Sequence, residues 1–308
     1  MLLETIQVMI NTKYSDKTLS SVIFLGAAAW GMYWFPLRTI ENYGITNSWS
    51  VVIFNACPLL LLCPLLAIKS KQIKGGLRPL AFSAIMIGMA FTLYANALLE
   101  TTVIRATLLF YLNIIWSTIV GIIWLSERFT QARFIAMCVA LIGLLLLVWQ
   151  SGESENPLNI GDLYGLLSGI FWSIGIAALA RWPSISIIPM TTSVYIATAL
   201  LSSIFAIFIY QEPFPPLSAI KLALPTAALW SVVILLPGFM IIFEISKYLF
   251  PGRISILMMS EVIVAIISAS ILVPSEKMIF VQWLGAAAIL SAGFIEVIFG
   301  DNRHQNRH

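Results

Sequence analysis

Charge is scarce in this chain. Asp, Glu, Lys and Arg make up 10% of its 308 residues, where soluble domains carry about 25%. Apolar residues reach 60% and mean hydropathy is +0.95. So few charges cannot cover the surface of a soluble protein of this size, so the chain reads as an integral membrane protein. Histidine is nearly absent: His304 and His308 both lie in the tail. That excludes a paired-histidine zinc site or a histidine-based nucleophile triad inside the membrane. The aspartates are Asp16, Asp162 and Asp301, too dispersed for a diphosphate-binding pair, so an enzyme is not expected. Cys57, Cys63 and Cys138 are odd in number and sit in apolar runs. They read as reduced packing residues, with no disulfide framework and no metal site. No cofactor is expected. Net charge is only +3 and the bases are dispersed, which argues against a nucleic-acid surface. The first 18 residues hold acids and lack the positive start and cleavage site of a signal peptide. The first apolar run is therefore expected to be a retained helix.

What is present is long apolar runs. A helix needs about 20 such residues to cross the hydrocarbon. Breaks at charges, Pro and Gly give ten spans, at 19–38, 48–68, 78–98, 103–125, 132–150, 159–181, 187–210, 219–247, 254–273 and 279–299. The alternation of barrel strands is absent, so the expected fold is all-α, with ten transmembrane helices. With both termini on one side, that side collects all the Lys and Arg except Arg38, Arg105, Lys221 and Lys277. Bases accumulate on the cytoplasmic side, so both ends are expected there, in the inner (cytoplasmic) membrane. The longest polar loop, QSGESENPLNIGD, holds three acids and no base, and divides the chain near its middle.

The two halves repeat. An offset of 142 aligns Trp30 in LGAAAWG with Trp172 in LLSGIFWS. An offset of 148 pairs Arg105 with Arg253, Asn113 with Glu261 and Asn96 with Glu244; one more residue pairs Glu127 with Glu276. The expected organisation is a cytoplasmic segment 1–18, a first five-helix repeat 19–150, a linker 151–158, a second repeat 159–300 and a tail 301–308. Five is odd, so the second repeat enters from the opposite side and the repeats are inverted. Secondary transporters built this way bind substrate between the repeats near mid-membrane.

AAAWG, FWS, LSERFTQARFIAMCVALIG and PSEKMIFVQWLGAAAILSAG, with SEVIVA in the ninth span, resemble the EamA-type members of the drug/metabolite transporter superfamily. The likeness runs over essentially the whole chain after residue 18. Ile114 and Val262 stand where the family usually has proline, and Ser126 and Ser275 where glycine often precedes the loop glutamate. The resemblance implies ten helices, a central cavity lined by both halves, alternating access without direct use of nucleotide, and a lean towards export of amino acids or similar metabolites.

The candidate site follows from cost. A carboxylate at the bilayer centre costs at least ~2.5–3.5 kcal/mol. Glu261 lies near the middle of its span, so it is expected to face protein or water. It can serve as a proton-coupling group or as a packing device. Glu244 precedes Lys247 by three residues, a spacing that suits either a local ion pair or a cavity role. Asn96 and Asn113 are its and Glu261's neutral counterparts in the first half. Tyr94 and Tyr111 neighbour those amides, and Trp30 and Trp172 mark the repeat. Aromatic walls with an acid suit an ammonium group or a zwitterionic amino acid. Glu127 and Glu276 read as helix caps or gate ion pairs, and Arg38 and Arg105 as side chains reaching outward. The expected activity is proton-coupled export of a small metabolite, an amino acid or amine-like compound, with the lipid bilayer and a proton as partners. A lipid flippase or a non-transporting scaffold is the alternative. The sequence leaves the oligomeric state open.

Overall fold

A computed structural model describes residues 16–68, 76–127, 129–148, 158–273 and 279–299. Ser275, Glu276 and Lys277 lie outside the described residues, as does most of the linker. Inside a bilayer every backbone polar group must bond internally, and the apolar runs duly form helices. Among the described residues nine helices are long and apolar enough to cross a membrane: Thr18–Glu41, Asn47–Ile68, Leu77–Glu100, Val103–Leu125, Ile160–Arg181, Ile187–Ile209, Leu217–Ile245, Pro251–Leu272 and Phe280–Phe299. The remaining helix, fifth in order, runs Gln131–Val148 and has a shorter apolar stretch, Gln131–Leu146. These are the ten spans of a multi-pass membrane protein, with bounds within a few residues of those read from the sequence.

The main helix contacts run between the first five spans and the last five. The fifth and tenth spans pair, as do the second and seventh. The sixth packs along the third and fourth, and the start of the first packs along the ninth. Two close approaches fix the inner geometry. Gly31 lies against the ninth span, where a Cβ would stand 2.5 Å from the Glu261 carbonyl oxygen and 2.6 Å from the Ala265 nitrogen. Gly169 of the sixth span lies against the fourth, where a Cβ would stand 2.5 Å from the Phe110 carbonyl oxygen. Only glycine lets backbone meet backbone so closely.

Three spans are interrupted at depth. The first turns 3₁₀ at Ala29–Met32. The fourth divides into Val103–Tyr111 and Asn113–Leu125 at Leu112. The ninth divides into Pro251–Leu257 and Ser260–Leu272 at Met258 and Met259. The last two breaks fall at matching places in the two halves, with no proline in either. In the eighth span a π-helical turn, Leu229–Leu235, leads into Pro237 at the start of Leu236–Ile245. Proline is tolerated there because a first-turn N–H has no helical partner to lose.

Helix ends carry their own signals. Asn159 and Asp162 form a reciprocal capping box at the head of the sixth span. Ser126 closes the fourth span in the left-handed conformation, φ 55° and ψ 37°, where an L-residue costs about 1–2 kcal/mol. Ser126→Gly is therefore expected to raise stability by about 1 kcal/mol, seen as a higher midpoint of thermal unfolding in detergent. Gly31→Val is expected to do the reverse, because backbone cannot yield to the added carbons. Size-exclusion chromatography of that variant should show loss of the monodisperse folded species.

Candidate functional site

Where the interrupted spans meet, a small cavity is lined by Trp30, Phe91, Tyr94, Phe110, Trp172, Phe239, Ile242, Met258 and Glu261, all buried. They come from the first, third and fourth spans of one half and the sixth, eighth and ninth of the other. Eight of the nine are repeat partners. The 142 offset relates Trp30 to Trp172; the 148 offset relates Phe91 to Phe239, Tyr94 to Ile242 and Phe110 to Met258. The ninth, Glu261, has no counterpart in the lining. The aromatic wall is continuous: Trp30 stacks on Phe91 at 5.7 Å, Phe91 meets Phe239 edge-on at 4.5 Å and Trp172 at 5.6 Å, and Tyr94 meets Phe110 at 4.6 Å. The cavity holds about 10 Å³, roughly one water. A metabolite enters only if the spans part.

Glu261 is 2% exposed, and each carboxyl oxygen has a partner from the other half. Tyr94 Oη donates to Oε1 at 3.1 Å, and Tyr111 Oη to Oε2 at 2.7 Å. Tyr111 Oη also lies 2.7 Å from the Met258 carbonyl oxygen at the break in the ninth span, and Tyr94 Oη lies 3.3 Å from Thr107 Oγ1. This geometry serves both protonation states. An ionised Glu261 accepts from both tyrosines. A protonated Glu261 donates to Tyr111, whose own proton turns to Met258. No heavy atom needs to move. No lysine or arginine lines the cavity.

The structure thus brings Glu261, Tyr94, Tyr111, Trp30 and Trp172 together and places the other three candidates apart. Asn96 donates to the Thr92 carbonyl at 2.7 Å and accepts from Ser48 Oγ, tying the third span to the second. Asn113 is buried against the sixth span, its carbonyl accepting from Ser173 Oγ at 3.3 Å. Glu244 pairs with Lys247 at 2.5 Å, three residues away. Glu127 is buried and bonded to Arg133, an ion pair and not a cap. Burial pushes its carboxyl up to about 7, against the pull of Arg133. Arg105 pairs with Asp162, and Arg38 reaches the Leu98 and Thr101 carbonyls at 3.4 and 3.3 Å. Neither simply reaches outward. Phe91, Phe110, Phe239, Ile242 and Met258 were missed as candidates. The offset that paired Asn113 with Glu261 carries the signal for them once it is extended to every neighbour of Tyr94 and Tyr111.

Residues 19–149 match the EamA-like transporter family. Over those residues the chain is similar to EamA-like transporters. An uncharacterized transporter of Helicobacter pylori is 28% identical over 122 residues, covering 39% of this chain and 40% of that protein. RarD of Escherichia coli is 31% identical over 74 residues, covering 24% and 25%. The uncharacterized transporter YojE of Bacillus subtilis is 26% identical over 86 residues, covering 28% and 29%. The matched segments thus span well under half the length of these relatives. A solved crystal structure shares the fold over 93% of this chain and 98% of its own, with TM-score 0.67 and 16% identity.

A buried carboxylate that loses a donor costs about 1–3 kcal/mol. Tyr111→Phe is expected to destabilise more than Tyr94→Phe, because its hydroxyl is closer and also reaches Met258. Thermal unfolding of both variants in detergent checks the order; equal midpoints would contradict it.

Proposed function

We propose that this EamA-type protein is a secondary-active transporter that moves a small metabolite, an amino acid or amine-like compound, by alternating access with a proton as coupling ion. The observation that carries this is Glu261. It is a lone carboxyl group in an aromatic-walled cavity between the halves, with no base beside it and a hydroxyl pair that accommodates its proton or its charge. An ammonium group can replace the proton, drawn by the carboxylate and by the ring faces. Cargo and proton then compete for one site, which is the requirement for exchange. Residues 19–150 and 159–300 act as the two moving repeats. The excess of Lys and Arg on one side orients both termini to the cytoplasm, in the inner membrane, with the proton gradient driving export.

A second reading has its own observation. An apolar crevice of about 290 Å³ runs between the second and eighth spans, lined by residues such as Trp49, Ile53, Phe214 and Leu224. A groove of that kind suits an acyl chain, as a lipid flippase requires. No base that would hold a headgroup phosphate lines it, and the carboxyl-bearing cavity lies apart from it, so the metabolite reading is preferred.

The test is uptake into proteoliposomes of a panel of amino acids, amines and nucleosides, with and without a pH gradient. Glu261→Gln holds the site in its neutral form. It is expected to abolish the response to the gradient and to weaken uptake of an amine-bearing cargo, whose ammonium group has lost the carboxylate. A variant whose gradient dependence matches wild type would remove Glu261 from the coupling mechanism.

A further inference from the structure

We infer that Arg105 and Arg253 are paired latches, one at each mouth of the cavity, that release in turn. The inference rests on the transporter reading and adds the parts that would open.

Arg105 lies in the first turn of the fourth span and donates to the Asp162 carboxylate at the head of the sixth. Asp162 also accepts from Thr101 Oγ1 at 3.4 Å, and Asn159 Nδ2 donates to the Glu100 carbonyl at 3.0 Å. The corner between the third and fourth spans is thereby tied to the sixth. At the opposite mouth Arg253 lies in the first turn of the ninth span and donates from Nε to Ser20 Oγ at 3.1 Å, near the head of the first span. The offset of 148 carries Arg105 onto Arg253. The offset of 142, which relates Trp30 to Trp172, carries Ser20 onto Asp162. One contact is therefore made twice, at opposite ends of inverted halves.

The two copies differ in chemistry. The acid of the first, Asp162, is a hydroxyl in the second, Ser20. Its charge is supplied there by Glu296 of the tenth span, 3.8 Å from Arg253. Glu296 also lies 3.5 Å from Arg133, which is bonded to Glu127. Side-chain exposure follows the same division. Arg105 and Asp162 are 17% and 8% exposed, while the four charges at the other mouth are 0–1% exposed. The partly exposed Arg105–Asp162 pair is the more easily parted; breaking the fully buried network strands charges in low dielectric. The Arg105 mouth is accordingly the one that parts first.

Each latch sits on a helical segment that leads to a cavity-lining residue. Arg105 precedes Phe110 within one helical segment, and Arg253 precedes Met258 at the end of another. The breaks at Leu112 and at Met258–Met259 let each segment move without its continuation. Release at one mouth shifts one wall while the other mouth stays tied, as alternating access requires.

The experiment exchanges the latch residues and reads each mouth separately. Cys57, Cys63 and Cys138 are replaced by alanine. A single cysteine is placed at Ala106 or at Ile254, which are repeat partners and both fully buried. Alkylation by a water-soluble maleimide is timed in detergent. Asp162→Ser is expected to speed labelling at 106 by about 5–10-fold and to slow it at 254, the size of a small shift between two states. Ser20→Asp is expected to slow labelling at 254 and to speed it at 106. Asp162→Glu should retain the wild-type rates, and Asp162→Asn provides a second variant if the serine protein does not fold. Rates that rise together at both mouths, or that stay at wild-type values in a folded Asp162 variant, overturn the inference. The readout needs no cargo. Opposed rate changes in a protein that moves nothing across liposomes would sink the transport reading and leave the latches standing.

Discussion

A carboxyl group at bilayer depth must be solvated by the protein itself, and much of this molecule is arranged around that requirement. Glu261 is buried, 2% exposed. Its oxygens are held by Tyr94 and Tyr111, which belong to different spans of the opposite half. Tyr111 reaches the carboxylate because the fourth span breaks immediately after it, at Leu112. Its second acceptor, the Met258 carbonyl, lies at the break in the ninth span and also accepts from the Glu261 backbone N–H at 3.0 Å. Gly31 then brings the first span against the backbone of Glu261 itself. Glycine, helix breaks and phenols thus serve one end, a charge-capable group kept without lipid contact.

Symmetry makes the exception meaningful. The cavity lining consists of repeat partners except for Glu261, whose mate Asn113 is buried outside the lining with its backbone carbonyl bonded to Ser173 of the sixth span. A strictly paired lining would give chemically equivalent walls in both halves. The single carboxyl group makes one wall able to carry charge while its aromatic surroundings stay neutral. The same departure recurs at the mouths, where related positions hold Asp162 and Ser20. Under the transporter reading, the chemistry is concentrated where the two halves stop being copies.

Much of the fold was legible in the sequence because a bilayer constrains length and polarity so strongly that apolar runs read as spans. Glu261 was legible for the same reason: an acid there is costly enough to demand an explanation. Three other features were not. The breaks at Leu112 and Met258–Met259 carry no proline or glycine, and Ile114 and Val262 gave no warning of them; they arise from tertiary packing. Arg105 read as a base reaching outward because its partner, Asp162, lies in another span, and such pairings are set only by packing. Asn96 and Glu244 matched in register yet fall away from the cavity, since a repeat fixes correspondence and leaves helix rotation open.

Rotation also explains the eighth span. In an α-helix one added residue turns everything beyond it by about 100°. The wide turn at Leu229–Leu235 accommodates such an addition locally. Before and within it Leu222, Leu229 and Val233 are exposed on the membrane-facing side, while beyond it Phe239 and Ile242 are buried against the cavity. A bulge of this kind lets a lineage lengthen a membrane helix without a new loop and without scrambling the face that matters. The eighth span is thus 29 residues long against 24 for its counterpart in the first half, and still delivers Phe239 opposite Phe91.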